Sequence, residues 1–185
     1  MTRITSLYLL DRKSLMLIYN SLVESRLRYG ILSWGTATSI QLNRLKVLQN
    51  KALRFISFSS LDTAMLPLYS YFKILPLEHL IMLQQVTHMF CFQNNLLPEA
   101  FQTYCNRPSH SKGTRFSKNN FVIPKCQSRL QEKSIKSIGP RVWAEVPQEA
   151  KILPFKRTFT KYMKNLYIES FPTEQSSGNL LYLYL

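Results

Sequence analysis

Residues 40–58 read IQLNRLKVLQNKALRFISF. Leu42, Leu45, Leu48 or Gln49, Ala52, Phe55 and Ile56 recur at three-and-four spacing, which predicts an amphipathic helix over about Ile40 to Phe58. Arg44, Lys46, Lys51 and Arg54 carry all the charge of this segment, which holds no acid. Like charges one helical turn apart repel, so such a face points outward to a polyanion. The plainer reading is a solvated basic face.

Upstream, Leu15, Ile18, Tyr19, Leu22, Arg26 and Tyr29 predict a first helix from about Arg12 into the 29–34 region, with Asp11 as its N-cap. Gly30 either ends this helix or lets a neighbour pack on bare backbone. Residues 35–39 read as a small-residue turn, with Ser39 as the next N-cap. Downstream, Pro67 and Pro76 bracket a short helix at 68–75. A long helix comes next, from about Leu77 to Asn94, apolar on most sides and so central in a bundle, then a short helix from Glu99 to Tyr104.

Composition changes at about Asn106. Between Arg107 and Arg141 there are nine Lys/Arg and one acid, Glu132. Here Phe121–Pro124 and the alternating Ser134–Gly139 predict two short strands paired around Gln127-Ser128. Arg141–Glu145 reads as a helical turn. A last helix, about Leu153 to Ser170, places Phe155, Phe159, Tyr162, Met163 and Leu166 on one face and Lys156, Arg157, Lys161 and Lys164 on the others. The expected fold is mainly α, a helical bundle with a small β-hairpin element in the C-terminal half. Its regions are a helical part over 1–105, a basic segment over 106–171 with the hairpin and final helix, and a loosely docked tail over 172–185.

Hydrophobic residues make up 45% of the 185, enough for a core. The charge is the outlier: 24 Lys+Arg against 10 Asp+Glu gives +14, which favours phosphate-rich partners. Three widely spaced cysteines, Cys91, Cys105 and Cys126, do not suggest a secreted disulfide framework. Neither a signal peptide nor an apolar run of about 18 residues is present, so no membrane partner is expected. The expected location is intracellular, nucleus or cytoplasm, and not secreted.

Several chemistries lack their residues. Two-metal nucleotidyl transfer needs carboxylates converging on ions about 4 Å apart. The chain has two aspartates and eight glutamates, none adjacent; Asp62 reads as a turn residue. His88 and Cys91 share a helix face, and Cys105 lies near His110, but the short regular spacing of a zinc knuckle is absent and a buried cysteine as a small hydrophobe is commoner. With five glycines, no Gly-rich phosphate loop and no nucleophile elbow, no catalytic residue, metal or cofactor is expected. Arg115-Phe116, Lys118, Phe121 and Arg141-x-Trp143 could join phosphate contacts to base stacking. The alternative keeps Phe121 and Trp143 in the core with only the cations exposed. Lys125 and Arg129 belong to the same basic segment.

Motifs along the chain form an ordered set: Tyr19-Asn20, Leu27-x-Tyr29-Gly30, Trp34-Gly35, Leu48-Gln49-x-Lys51-Ala52-x-Arg54-x-Ile56, Leu75-Pro76-Leu77-Glu78, Asn94-Asn95-Leu96-Leu97-Pro98, Thr114-Arg115, Gly139-Pro140-Arg141-Val142-Trp143-x-Glu145-x-Pro147 and Phe155-Lys156. This set resembles the thumb and post-palm region of LINE-type, jockey-like non-LTR retrotransposon reverse transcriptases, over about Ser14 to Tyr167. The resemblance implies that 1–105 is thumb-like and that the basic helix Arg44–Arg54 faces the backbone of a template–primer duplex. It places Thr114, Arg115, Lys118 and Arg141 in a later basic segment.

In such proteins the palm, which carries the RNA-directed DNA polymerase activity, lies upstream; here about fifteen residues precede the similar segment. The tail after Phe171 matches nothing in that family. The expected activity is therefore non-catalytic binding of RNA or RNA–DNA hybrid backbone without strong sequence preference. The expected contacts are Arg44, Lys46, Lys51, Arg54, Arg115, Lys118, Lys125, Arg129 and Arg141. Apolar faces that would meet a palm predict self-association. The alternatives are a basic helical protein-interaction module, or the product of a decayed element with no selected function.

Overall fold

The computed structural model describes residues 10–101, 103–106 and 120–171. The chain divides into two compact units between Leu80 and Ile81. The change of composition at Asn106 lies inside the second unit, and the tail over 172–185 lies outside the described residues.

In the first unit the expected opening helix forms in pieces. These are α1 (Arg12–Tyr19), a π-helical stretch (Asn20–Glu24), α2 (Ser25–Arg28) and α3 (Ile31–Trp34). Asp11 caps α1 as expected, its carboxylate accepting from the Ser14 N–H at 3.1 Å. Hydrogen bonds from Ser14 hold the Asp11 carboxyl below the usual carboxylate range. Leu15 and Tyr19 are buried while Ile18 and Leu22 are exposed, and from Asn20 the wider π turn over Asn20–Glu24 shifts the helix out of its expected register. Gly30 takes φ +60° and separates α2 from α3. A Cβ there would lie 3.8 Å from the Trp34 side chain, in ordinary contact, so the position demands glycine for its backbone angle rather than for space.

The helix read from residues 40–58 is α4 (Ser39–Ser57). Next comes α5 (Met65–Phe72), which begins earlier than the proline positions suggested, with Pro67 accommodated in its first turn. Helix α6 (Leu77–Gln93) carries the unit boundary. Phe58, Lys73 and Asn95 stop α4, α5 and α6 respectively with positive φ, each in a turn whose following N–H reaches back to a carbonyl of the last turn.

Both α1 and α5 pack on α4. Its buried face is Leu42, Gln49, Leu53 and Ile56. Gln49 sits inside because every end of its amide is bonded. Its Nε2 donates to Tyr19 Oη (3.1 Å) and the Leu75 carbonyl (2.9 Å), and its Oε1 accepts from Tyr69 Oη (3.1 Å). Of the expected pair Leu48 or Gln49 it is Gln49 that is buried, while Leu48 and the expected Phe55 face solvent.

The second unit holds the rest of α6, a 3₁₀ turn (Glu99–Phe101), α7 (Arg129–Glu132), α8 (Ile135–Glu145), α9 (Gln148–Lys151) and α10 (Lys156–Ser170). An aromatic core organises it. Phe90 stacks on Phe159 with centroids 4.4 Å apart, and Trp143 and Phe121 extend the cluster. Trp143 and Phe121 are buried, so they serve as core and the stacking alternative for them falls away.

The expected β-hairpin is overturned: no strand occurs among the described residues. Phe121–Pro124 has no regular structure, and the Val122 N–H donates to the Asn106 carbonyl at 2.9 Å. Ser134–Gly139 opens α8 rather than a strand. Ile138, Val142 and Trp143 are buried together, which is helical periodicity, and Ile135 and Ile138 already stand three apart, the spacing of a helix rather than of a strand.

The Gly139-Pro140 pair lies within α8. A Cβ on Gly139 would stand 2.5 Å from Met89 Sδ, so glycine lets α8 close onto α6. Gly139→Ala is expected to cost about 1–3 kcal/mol in urea unfolding, by overpacking. In a Met89→Ala background, where that space is open, the same substitution should cost much less, and a double-mutant cycle reads the difference.

Lys151 is buried on α9 with Nζ donating to Asn120 Oδ1 (3.1 Å) and lying 5.4 Å from the Trp143 ring centroid. Burial pushes its pKa below the ordinary lysine value. The folded state then binds fewer protons at this site than the unfolded one. Stability should therefore rise with pH toward the unfolded lysine value of about 10.4, and fall as pH drops through the folded value. Lys151→Met lacks that linkage. Its stability relative to wild type, read from urea midpoints, should decline between pH 7 and pH 10.

Candidate nucleic-acid interface

Exposure sorts the four cations of α4. Arg44 and Lys51 are exposed seven residues apart, two turns along one face. Lys46 Nζ lies 2.7 Å from Glu78 Oε1, an ion pair formed with an acid 32 residues away. Arg54 is half-buried and donates from Nη2 to the Thr63 carbonyl at 3.1 Å, bracing the turn after α4. The cations of α4 that reach solvent without such ties are thus Arg44 and Lys51. Between and beside them lie exposed apolar side chains, Ile40 (69%), Leu48 (60%) and Phe55 (44%).

In the second unit Lys125, Arg129 and Arg141 line one open depression of about 610 Å³, together with Cys126, Ser128 and Glu132. Local bonds shape this wall. Ser128 caps α7, its Oγ accepting from the Gln131 N–H at 3.3 Å, and Gln131 Oε1 accepts from the Gln127 N–H at 2.9 Å. Cys126 Sγ donates to Ser137 Oγ at 3.1 Å, tying the segment to α8, the helix that also presents Arg141. Glu132 Oε1 stands 3.9 Å from Arg141 Nη1, at the edge of ion-pair range, and both side chains are partly solvated. Such a pair is worth little and leaves the guanidinium available to a phosphate. Arg115 and Lys118 lie outside the described residues, as do Phe116 and Thr114.

No group of three or more His, Cys, Asp or Glu that could hold an ion occurs among the described residues. His110 lies outside them. Burial first, then Lys156, lowers the pKa of His88, while burial raises those of the Cys91 and Cys105 thiols. These cysteines sit as protonated, inward-facing side chains. No helix among the described residues is long and apolar enough to cross a membrane.

Two basic surfaces lie outside the set of contacts expected from sequence. Lys156, Arg157 and Lys161 are exposed on α10, where the charge of the helix was the signal that could have found them. Arg12 Nη1 lies 3.5 Å from Tyr71 Oη, a contact across 59 residues that no local pattern announces. No family model matches the chain, and neither a curated protein nor a solved structure matches it.

Proposed function

We propose that this chain binds the sugar–phosphate backbone of RNA or an RNA–DNA hybrid, without catalysis and without strong sequence preference. We read it as a thumb-like and post-palm portion of a LINE-type reverse transcriptase. The observation that carries the reading is the gathering of Lys125, Arg129 and Arg141 around one open depression that also holds Ser128. Three cations and a hydroxyl at a concave surface suit a non-bridging phosphate oxygen and its neighbours. The net charge of +14 supplies the long-range attraction. Arg44 and Lys51 on α4 give a second contact line, and the ordered motifs supply the family.

The experiment is fluorescence anisotropy of the full chain with a labelled RNA–DNA hybrid at two salt concentrations. Binding that weakens steeply with salt, and that is lost when Lys125, Arg129 and Arg141 are changed to Gln, is the expected result. A folded, monodisperse chain that does not bind would overturn the reading.

A second reading rests on the exposed Ile40, Leu48 and Phe55 beside Arg44 and Lys51. An apolar stripe in a basic frame supports contact with a protein, including a second copy of this chain. Salt-insensitive association, or a mass that rises with concentration in light scattering, would favour it.

A further inference from the structure

We propose that the cleft between the start of α1 and the end of α5 is a binding site for one unpaired nucleotide, with its base against Tyr71 and its phosphate held by Arg12 and Lys13. The cleft measures about 470 Å³ and lies within the first unit. It is open to solvent on one side, as a site for one residue of a longer strand must be.

Its walls divide by chemistry. Arg12 and Lys13 are exposed on the first turn of α1, and Asn20 contributes an amide one helical stretch further on. Met16 supplies an apolar floor. Tyr71 and Phe72 close the other side, their rings 5.0 Å apart and nearly perpendicular. No acid lines the cleft, and the neighbouring Asp11 is turned to the Ser14 N–H as the helix cap.

Tyr71 is the unusual member. It is 67% exposed although it borders a concave site, and the Arg12 guanidinium stands within 3.5 Å of its hydroxyl. An exposed ring steered by a cation at its rim is a stacking platform, and every base offers a π-face to it. The Asn20 amide can both donate and accept, as a base edge requires. A carboxylate ligand would use the two cations and leave the ring and the amide idle; a nucleotide uses all of them.

This inference deepens the nucleic-acid reading, and it adds that the first unit holds an unpaired residue as well as a backbone. The test compares two labelled probes by anisotropy, a ten-residue single-stranded oligonucleotide and a blunt RNA–DNA hybrid. The expected result for Tyr71→Ala is a loss of roughly 5- to 150-fold in affinity for the single strand, the size of one stacked base, with the blunt hybrid unaffected. Tyr71→Trp should retain single-strand binding. Tyr71 packs little of the core, and an unchanged melting temperature of Tyr71→Ala confirms that the variant is folded.

The proposal is overturned if Tyr71→Ala binds the single strand within twofold of wild type, or if an abasic oligonucleotide binds as well as one with bases. Tyr71-dependent capture of the single strand by a chain that ignores the hybrid would sink the duplex reading and leave this one standing. Hybrid binding with no dependence on Tyr71 for either probe would do the reverse.

Discussion

Changing Lys125, Arg129 and Arg141 together to Gln is expected to flatten the salt dependence of hybrid binding by about 2–3 units of log Kd per log salt. Each phosphate neutralised by a protein cation releases condensed counterions and adds about 0.7 to 0.9 to that slope, depending on the charge density of the strand. Three such contacts make wild-type affinity fall roughly 20- to 40-fold further than that of the variant over a fourfold rise in salt. Gln keeps much of the side-chain length and its hydrogen bonding, so the measurement isolates charge. Lys125 and Arg129 are exposed and Arg141 is partly so, which leaves the fold undisturbed.

Two companion changes sharpen the result. Glu132→Gln removes the acid that faces Arg141 at 3.9 Å and should strengthen binding several-fold. Lys46→Gln should change little, because Glu78 already neutralises that ammonium at 2.7 Å. Parallel slopes for wild type and the triple variant would move the contact elsewhere. Loss in Arg44→Gln/Lys51→Gln would then place it on α4.

The sequence carried α4 because nineteen residues of helical period leave one interpretation, and it carried the cap at Asp11 because that chemistry is local. On the face of α4 it was right at Leu42 and Ile56, wrong at Phe55, and left Leu48 and Gln49 as alternatives, of which Gln49 goes inside. Leu48 and Phe55 look like core on hydrophobicity alone, but the interior position goes to Gln49, whose three partners lie 20 to 30 residues away. The hairpin failed for a related reason. Ile135 and Ile138 stand at helical rather than strand spacing, but two apolar residues are too few to set a period, and Gly139-Pro140 reads as a break until Met89 shows why glycine is needed there.

Charge behaved similarly at the site. The density of cations over 107–141 was legible, and Lys125, Arg129 and Arg141 converge because one short segment and the helix after it bring them together. The neutralisation of Lys46 and the meeting of Arg12 with Tyr71 are tertiary facts with no local signature.

Gln49→Leu is expected to destabilise the first unit by roughly 3 kcal/mol in urea unfolding, although leucine is the more hydrophobic residue and the position is buried. The apolar gain is small beside the polar groups left stranded. The Leu75 carbonyl loses its 2.9 Å donor and Tyr19 Oη loses its 3.1 Å donor, each at a cost of about 1–3 kcal/mol when left buried without a partner. Tyr69 suffers less, since its hydroxyl also reaches Asn50 Oδ1 at 2.6 Å. Tyr69→Phe should accordingly cost less than Gln49→Leu.

The network also has a pH signature. Desolvation pushes the Tyr19 hydroxyl up to about 12, against a counteracting hydrogen bond from Gln49, and burial raises Tyr69 as well. With both folded values above the unfolded value of about 10, the unfolded chain ionises first. The stability these tyrosines contribute is whole below pH 10 and is lost as pH climbs through the folded values. Tyr19→Phe should lose less stability than wild type between pH 9.5 and pH 11, where urea midpoints remain measurable. If Gln49→Leu instead leaves stability unchanged, the amide is not the tie that holds α1, α4 and the Leu75 carbonyl together, and the apolar contacts of Leu42, Leu53 and Ile56 must hold that core without it.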